Sequence, residues 1–246
     1  MTGGELSGEL SCIRGICFDL DNTFWDVMPV IERAEAAMYD FLALRYPRVT
    51  AAMTVEMLRK ARLETARAYP QMAHDFTFLR RQTLADHARE FGYAEAMADE
   101  AFEAFAQARN EVVLYEDVVP GLDRLKQHFR LFTASNGNAD LKRIGLAHYF
   151  ERSLGARDVG ALKPDPTLFH KVIEGTGLEP QQVVYVGDDP ALDVVGARAA
   201  GMLPVWINRE RLDWPAEYGA TVHTVRNLDE LGTLLGLRSR PCPDES

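Results

Sequence analysis

The chain has 246 residues, of which 47% are hydrophobic and 26% are charged, the proportions of an ordinary globular protein. Its formal net charge of −10 argues against nucleic acid or an anionic membrane as the main partner. No stretch approaches the roughly 18 apolar residues of a membrane span, and the three cysteines lack metal-ligand spacing, so we expect a cytoplasmic protein.

The first predicted element is a short apolar strand that ends in two acids. Residues 13–18 are followed at once by Asp19-Leu20-Asp21-Asn22-Thr23. Because side chains alternate along an extended chain, Asp19 and Asp21 point the same way and their like charges lie close together. Such a pair persists if a cation shares the site or if one carboxyl keeps its proton, and both conditions suit phosphoryl transfer. The alternative is a strand end followed by an ordinary Asx-turn.

A long helical region follows this strand. Apolar and charged residues recur near a 3.6-residue period over residues 29–44, 53–69, 76–91 and 94–108. Pro47, Pro70 and Gly92 provide breaks between these segments. Consecutive helices with short connections predict an antiparallel bundle.

From about Pro120 the pattern alternates between helices and strands. We predict strands at residues 129–133, 182–186, 203–207 and 220–223, and helices at residues 121–127, 140–147, 166–174, 191–200 and 228–235. Apolar strands that alternate with helices indicate a parallel sheet covered on both faces. The sequence therefore predicts an α/β protein with a Rossmann-like parallel-sheet core, residues 1–26 and 112–240, and a helix bundle, residues 27–111, inserted after its first strand. Residues 241–246 are expected to form a frayed tail.

Two weaker motifs lie in the second half of the chain. Ser135-Asn136-Gly137 follows a predicted strand, where a hydroxyl and backbone N–H groups can hold phosphate oxygens, although this is also a common turn sequence. Lys163 precedes Pro164 and Pro166, which stiffen the backbone, so it can reach a cluster of acids and bind phosphate. The alternative for Lys163 is a side chain in solvent.

A second apolar strand also ends in acids. Residues 183–186 lead into Gly187-Asp188-Asp189-Pro190, with Asp193 three residues further on. Asp189 alone could be a helix N-cap, and Asp193 a first-turn acid favoured by the helix dipole. These roles do not explain why two strands end in acid clusters, whereas parallel sheets place their sites at the carboxyl ends of strands.

The order of these motifs resembles the haloacid dehalogenase superfamily over nearly the whole chain. The matched residues are Asp19, Asp21, Thr23, Ser135, Lys163, Asp188 and Asp193, and the helical insertion is similar to the cap of one subfamily. A finer likeness is to bacterial phosphatases that hydrolyse FMN and the 5-phosphoribitylamino pyrimidine of riboflavin synthesis. It depends on Asp21-Asn22-Thr23, Pro29-Val30-Ile31, residues 69–75, Arg80, Asn136-Gly137-Asn138 and Gly187-Asp188-Asp189.

The resemblance implies a role for each matched residue. Asp19 would attack phosphorus, and Asp21 would act as general acid and base. Mg²⁺ would be held by Asp19, the backbone carbonyl of Asp21 and Asp188.

It also implies supporting roles. Phosphate would be bound by Ser135, Asn136 and Lys163, and the site would be oriented by Thr23, Asp189 and Asp193. In the cap, substrate contacts are expected from Trp25, His74 and Arg80, although the last two could be polar positions on the faces of cap helices.

The expected partner is therefore a small-molecule phosphate ester. Asp21 favours this reading over dehalogenation, because an alkoxide needs a proton on departure and a halide does not. Nucleotide or sugar phosphates as substrates, phosphomutase activity and a catalytically silent binding protein remain alternatives.

Overall fold

The computed structural model describes residues 7–237, so the predicted tail at residues 241–246 lies outside the described residues. Its centre is a six-stranded sheet in the order β3-β2-β1-β4-β5-β6, and every neighbouring pair is parallel. The strands are β1 Gly15–Phe18, β2 Arg130–Ser135, β3 Arg152–Gly155, β4 Val183–Gly187, β5 Leu203–Ile207 and β6 His223–Val225. The predicted fold class is confirmed.

The central strand β1 is buried along its whole length. Gly15 pairs with Arg130 of β2 on one side and with Val183 of β4 on the other. The continuous apolar sequence of β1 suits a strand with neighbours on both sides and helices on both faces. The carboxyl ends of β1, β2 and β4 consequently meet at one edge of the sheet.

Helices cover both faces of the sheet. Successive residues of β1 point to opposite faces of the sheet, so Ile16 and Phe18 belong to one apolar cluster and Cys17 belongs to the other. Helices α7 Val118–Leu125 and α12 Leu228–Leu234 contribute to the first cluster, and α10 Pro166–Ile173 and α11 Val195–Ala199 to the second. Three short α-helices complete the described set: α1 Ser7–Leu10, α8 Leu141–Ile144 and α9 Ala156–Val159.

The inserted helices lie between β1 and β2 in the chain. They are α2 Val27–Arg45, α3 Pro47–Ala52, α4 Val55–Ala68, α5 Phe76–Glu90 and α6 Ala96–Arg109. Side-chain oxygens cap three of them, because Asp26 accepts from the backbone N–H of Met28, Thr54 from Met57 and Asp75 from Phe78. Their apolar faces form a third cluster, separate from the two at the sheet.

Several elements differ from the sequence prediction. Strand β3 was not predicted, because this edge strand is short and only partly buried and so lacks an apolar pattern. The strand expected at residues 220–223 lies at His223–Val225. The helix expected at residues 140–147 ends at Ile144, where Gly145 adopts a left-handed conformation with φ of 90°. The helix expected at residues 191–200 begins as a π-helical turn, Pro190–Val194.

Helix α3 was also not predicted, and it begins with Pro47, a residue whose fixed φ suits the first helical position. None of the helices within residues 7–237 combines the length and apolar character needed to cross a bilayer.

Candidate active site

The carboxyl edge of the sheet and the inserted helices enclose a cavity of about 390 Å³. Asp19 reaches it from the end of β1, Ser135 from the end of β2 and Asp188 from the end of β4. Residues from both parts of the chain line the cavity: Asp19, Asp21, Asn22, Val27, Ile31, Arg62, Phe76, Arg80, Phe105, Arg109, Ser135, Asn136, Gly137, Asn138, Lys163, Asp188, Asp189, Leu192 and Asp193.

Lys163 is buried, with 3% of its surface exposed, so the alternative of a solvent-facing lysine is wrong. Its Nζ lies 2.7 Å from Asp19 Oδ1 and 2.7 Å from Asp193 Oδ1, and it donates to the Tyr185 hydroxyl at 3.0 Å. Burial alone would lower the pKa of Lys163, but the carboxylates of Asp19 and Asp193 outweigh burial and raise it above its ordinary value. The lysine therefore remains a cation between two carboxylates.

The second motif fixes the loop that carries this lysine. The Asn136 side chain accepts from the Lys163 backbone N–H at 2.8 Å and donates to the Lys163 carbonyl at 3.2 Å. The Ser135 hydroxyl lines the cavity and accepts from the Gly137 N–H at 3.1 Å. The Asn136 amide is thus already used to hold the loop, whereas Ser135 still has its hydroxyl proton to donate.

Three carboxylates at this edge could together hold a metal ion. One oxygen from each of Asp19, Asp188 and Asp193 lies within 4.8 Å of the others. Burial first, and then the negative charges of Asp19 and Asp193, raise the pKa of Asp188 to about 8. A divalent cation bound there would remove this penalty, and oxygen donors of this kind suit Mg²⁺.

Asp193 differs from the other two acids, because both of its oxygens already have partners. Oδ1 contacts Lys163, and Oδ2 accepts from the Asp189 N–H at 3.0 Å. A Cβ atom on Gly187 would lie 2.2 Å from Asp193 Oδ2, so only glycine leaves room for this carboxylate. Asp189 is itself the N-cap of the following turn, accepting from Ala191 N at 2.8 Å and Leu192 N at 3.0 Å.

The Asp21 carboxyl is held by two donors. Nη2 of Arg109 lies 2.8 Å from both of its oxygens, and the Trp25 indole N–H donates to Oδ1 at 2.8 Å. Burial raises the pKa of Asp21, and the positive charge of Arg109 opposes this rise. Arg109 is the last residue of α6 and is 1% exposed, so the inserted helices contact Asp21 directly.

The remaining predicted residues have different surroundings. Arg80 lines the cavity, as expected of a residue that contacts substrate. Trp25 is instead fully buried in the apolar core, and the half-buried His74 lies in a turn. Neither residue lines the cavity. Thr23 is fully buried, and its carbonyl accepts from Nη2 of Arg209 at 2.8 Å.

Sequence reasoning missed Arg62, Phe105 and Arg109 and gave Asn138 no role, although all four line the cavity. The contact between Arg109 and Asp21 spans 88 positions, and no local pattern marks it. For Arg62 and Phe105 the only signal is helical periodicity, which predicts a buried face and does not say what that face contacts.

Comparison with known proteins agrees with this geometry. The profile of haloacid dehalogenase-like hydrolases matches residues 13–201. The 5-amino-6-(5-phospho-D-ribitylamino)uracil phosphatase YigB of Escherichia coli is 29% identical over 232 residues, which are 93% of this chain and 97% of YigB.

Solved structures are similar over the same extent. A 2-haloacid dehalogenase from Pseudomonas syringae superposes with a TM-score of 0.86 at 36% identity, over 91% of this chain and 98% of that one. A haloacid dehalogenase-type phosphatase from Thermococcus onnurineus gives a TM-score of 0.66 at 28% identity, over 91% and 98%. The resemblance inferred from the four motifs is confirmed, and the chain belongs to the haloacid dehalogenase-like hydrolase family.

Proposed function

We propose that the protein hydrolyses small-molecule phosphomonoesters through an aspartyl-phosphate, with Mg²⁺ as cofactor. The observation that carries this proposal is the pairing of two acids at one strand end. Lys163 holds Asp19 by one oxygen, and the Asp21 carboxyl lines the same cavity two residues further along the chain. This arrangement supports Asp19 as the nucleophile and Asp21 as the proton donor.

The reaction has two steps. In the first, a carboxylate oxygen of Asp19 forms a bond to phosphorus, the ester P–O bond breaks, and Asp21 gives its proton to the departing alkoxide. In the second, Asp21 takes a proton from water as the water oxygen attacks phosphorus, which releases inorganic phosphate and restores Asp19. The Lys163 ammonium and the Ser135 hydroxyl stabilise charge on the phosphoryl oxygens in both steps.

The donor set at the sheet edge fits the proposed cofactor. Asp19, the backbone carbonyl of Asp21 and Asp188 would hold Mg²⁺, which when bound supplies positive charge to the acids and to the phosphoryl group. Asp193 keeps Lys163 and the Asp189 backbone in place through the hydrogen bonds described above. Asp193 therefore orients the site.

The choice of leaving group follows from Asp21. The similar Pseudomonas syringae structure carries the name of a dehalogenase, so halide displacement by Asp19 is a second candidate reaction. A halide leaves without a proton, so the first step of dehalogenation would not use the Asp21 carboxyl as an acid. An alkoxide needs that proton, and this favours phosphate esters.

The substrate is proposed to be a soluble metabolite and not a nucleic acid or a membrane component. The name of the Escherichia coli relative makes 5-amino-6-(5-phospho-D-ribitylamino)uracil the first compound to assay, and the resemblance of the sequence motifs adds FMN. Nucleotides and sugar phosphates are alternatives. In this proposal the inserted helices, residues 27–111, act as a cap that excludes water and contacts the leaving group.

The test is a panel assay with the purified protein. We expect phosphate release from alkyl phosphates with Mg²⁺, none after treatment with a chelator, and none with Asp19→Asn, which cannot form the acyl-phosphate. The folded state of that variant is checked by circular dichroism. Chloride release from 2-chloropropionate without phosphate release from any ester would favour the dehalogenase, and unimpaired turnover in chelator would contradict the metal site.

A further inference from the structure

The wall of the cavity formed by the inserted helices carries positive charge. Arg62 of α4 and Arg80 of α5 both line the cavity, on the side away from the sheet edge that carries Asp19 and Lys163. The Nε of Arg62 is buried and has no hydrogen-bond partner, and no ion pair to its guanidinium occurs within residues 7–237. A buried donor left unpaired costs free energy, and Arg62 is a cavity-lining arginine without a carboxylate partner among the described residues, so a bound anion would supply its missing counter-charge.

Arg80 differs from Arg62, because its contacts are made within the protein. Its guanidinium lies over the Phe105 ring, 3.7 Å from the ring centre, and its Nη2 is 3.5 Å from Oε1 of Glu35. Arg59 pairs with the other oxygen of Glu35. Both oxygens of Glu35, which is 2% exposed, therefore have arginine partners, and no ion pair joins Glu35 to Arg62 within the described residues.

The positive charge of Arg62 changes the pKa of the neighbouring Arg80. Burial first, and then the positive charge of Arg62, lower the pKa of Arg80 to about 10. Two guanidinium groups close together in a partly dry pocket repel one another, and an anion between them would remove the repulsion. Ile31, Phe76 and Phe105 line the same cavity and limit the water that could screen these charges.

We propose that Arg62, supported by Arg80, binds an anionic group at the end of the leaving group remote from the phosphate. The substrate is then the phosphate ester of an alcohol that also carries an oxyanion such as a carboxylate. The planar guanidinium matches the two oxygens of a carboxylate, which gives this contact its geometric selectivity. The transferred phosphoryl group is a separate anion, bound by Lys163 and Ser135 at the sheet edge.

This inference rests on the proposed function and narrows the class of substrates that the protein would hydrolyse. It ranks esters with an acidic leaving group above esters with a neutral one, such as the ribityl chain of FMN. A volume of about 390 Å³ lies in the range of small-molecule sites, so the cavity has room for a leaving group beyond the phosphate.

Binding of non-hydrolysable phosphonates tests the subsite without turnover. Calorimetry with Mg²⁺ present would compare phosphonoacetate, 3-phosphonopropionate and longer homologues with alkylphosphonates of the same chain length. The wild type should bind at least one phosphonocarboxylate more tightly than its alkyl counterpart, by roughly 10- to 100-fold. Arg62→Gln should abolish this preference and leave alkylphosphonate binding within about threefold, and Arg62→Lys should restore part of it.

The matched control is Arg67→Gln, which removes an exposed arginine of the same helix that does not line the cavity. It should bind both series as the wild type does. Equal binding of both series by the wild type, or equal losses of both in Arg62→Gln, would overturn the anion subsite.

Turnover then separates the subsite from the proposed function. In assays of 3-phosphoglycerate against glycerol 3-phosphate, Arg62→Gln should lower kcat/KM for the acid only. If neutral esters are hydrolysed and the phosphonate preference is absent, the phosphatase stands and the subsite is wrong. If the preference is present and no ester is hydrolysed, the subsite stands and the phosphatase is wrong.

Discussion

Asp21 shows how strongly a single carboxyl can be constrained by its neighbours. Arg109 contacts both of its oxygens and favours the ionised form, whereas burial favours the protonated form. The balance raises the pKa of Asp21 from its ordinary value. A raised pKa keeps the carboxyl protonated up to a higher pH, which suits the proposed role of Asp21 as the proton donor to an alkoxide.

The first prediction concerns Asp21→Asn. The amide keeps the size of the side chain but has no proton to transfer, and the backbone carbonyl is unchanged. Turnover of an alkyl phosphate should fall by roughly 10²–10⁴-fold, while the phosphorylation step with an activated aryl phosphate should be much less affected. Because the second step needs the same residue as base, rapid-quench measurement with the aryl substrate should show a burst followed by slow turnover.

A control for this variant is Asp165→Asn, at the exposed N-cap of α10, where Asn caps as well as Asp. Its turnover should match that of the wild type. Equal loss with both substrates in the burst phase of Asp21→Asn would assign Asp21 a structural part.

Some residues of the candidate site could be predicted from the sequence and others could not, for a physical reason. Asp19 and Asp188 could be grouped in advance, because parallel strands bring their carboxyl ends to one edge, and Lys163 could be added because the prolines that follow it stiffen its loop. Arg109 and Arg62 could not, since their positions depend on how the inserted helices pack against the core. Trp25 was expected to contact substrate, yet its indole lies in the core and only its N–H reaches the site.

At the scale of elements, the packing of α7 against α12 depends on a glycine. A Cβ atom on Gly121 would lie 2.4 Å from the Leu228 Cβ, which is closer than two non-bonded carbon atoms can approach. Helix propensity alone would favour alanine at this position by about 1 kcal/mol. Steric overlap in a packed interface costs more, typically about 1–3 kcal/mol.

The second prediction is therefore that Gly121→Ala lowers the free energy of unfolding, measured by urea denaturation, although the substitution improves helix propensity. Gly232→Ala in α12 is the control, because its Cβ would meet only the flexible end of Arg124, at 3.2 Å. It should leave stability unchanged within about 1 kcal/mol or raise it. A stabilised Gly121→Ala variant would show that the two helices can separate at little cost.

Element prediction succeeded where the periodicity was strong and failed where it was interrupted. The long inserted helices and the apolar strands β1 and β4 were recognised, because each has one consistent pattern of apolar residues. The π-helical turn Pro190–Val194 was not, because its geometry follows from the Asp189 cap and from the contact of Asp193 with Lys163. Such tertiary constraints leave no trace in a propensity pattern.

For the molecule as a whole, we expect the proposed metal site to determine how stability depends on pH and on Mg²⁺. Asp188 has a pKa of about 8 against an ordinary value near 4, so its ionisation is unfavourable in the folded state. Between those values the folded state binds more protons than the unfolded state. The stability of the metal-free protein should consequently fall as the pH rises from about 4 to about 8.

The third prediction follows. At pH 8, Mg²⁺ at 100 times its dissociation constant should stabilise the protein by about 2.7 kcal/mol, which is a rise in Tm of roughly 5–10 °C. Asp188→Asn should lose this rise and, in chelator, melt at or above the temperature of the wild type. Differential scanning fluorimetry measures both effects. A wild-type Tm that does not respond to Mg²⁺ would contradict the metal assignment.

The position of the helical insertion also has a consequence for the newborn chain. Gly15 must pair with Arg130 and Val183, and both are synthesised only after the whole insertion. At translation rates of about 5–20 residues per second, β1 waits on the order of 10–30 s for its second neighbour. The inserted helices can fold meanwhile through local contacts, whereas the apolar strand Gly15–Phe18 stays unpaired. On the ribosome, this short segment is therefore exposed to aggregation until β2 and β4 have been synthesised.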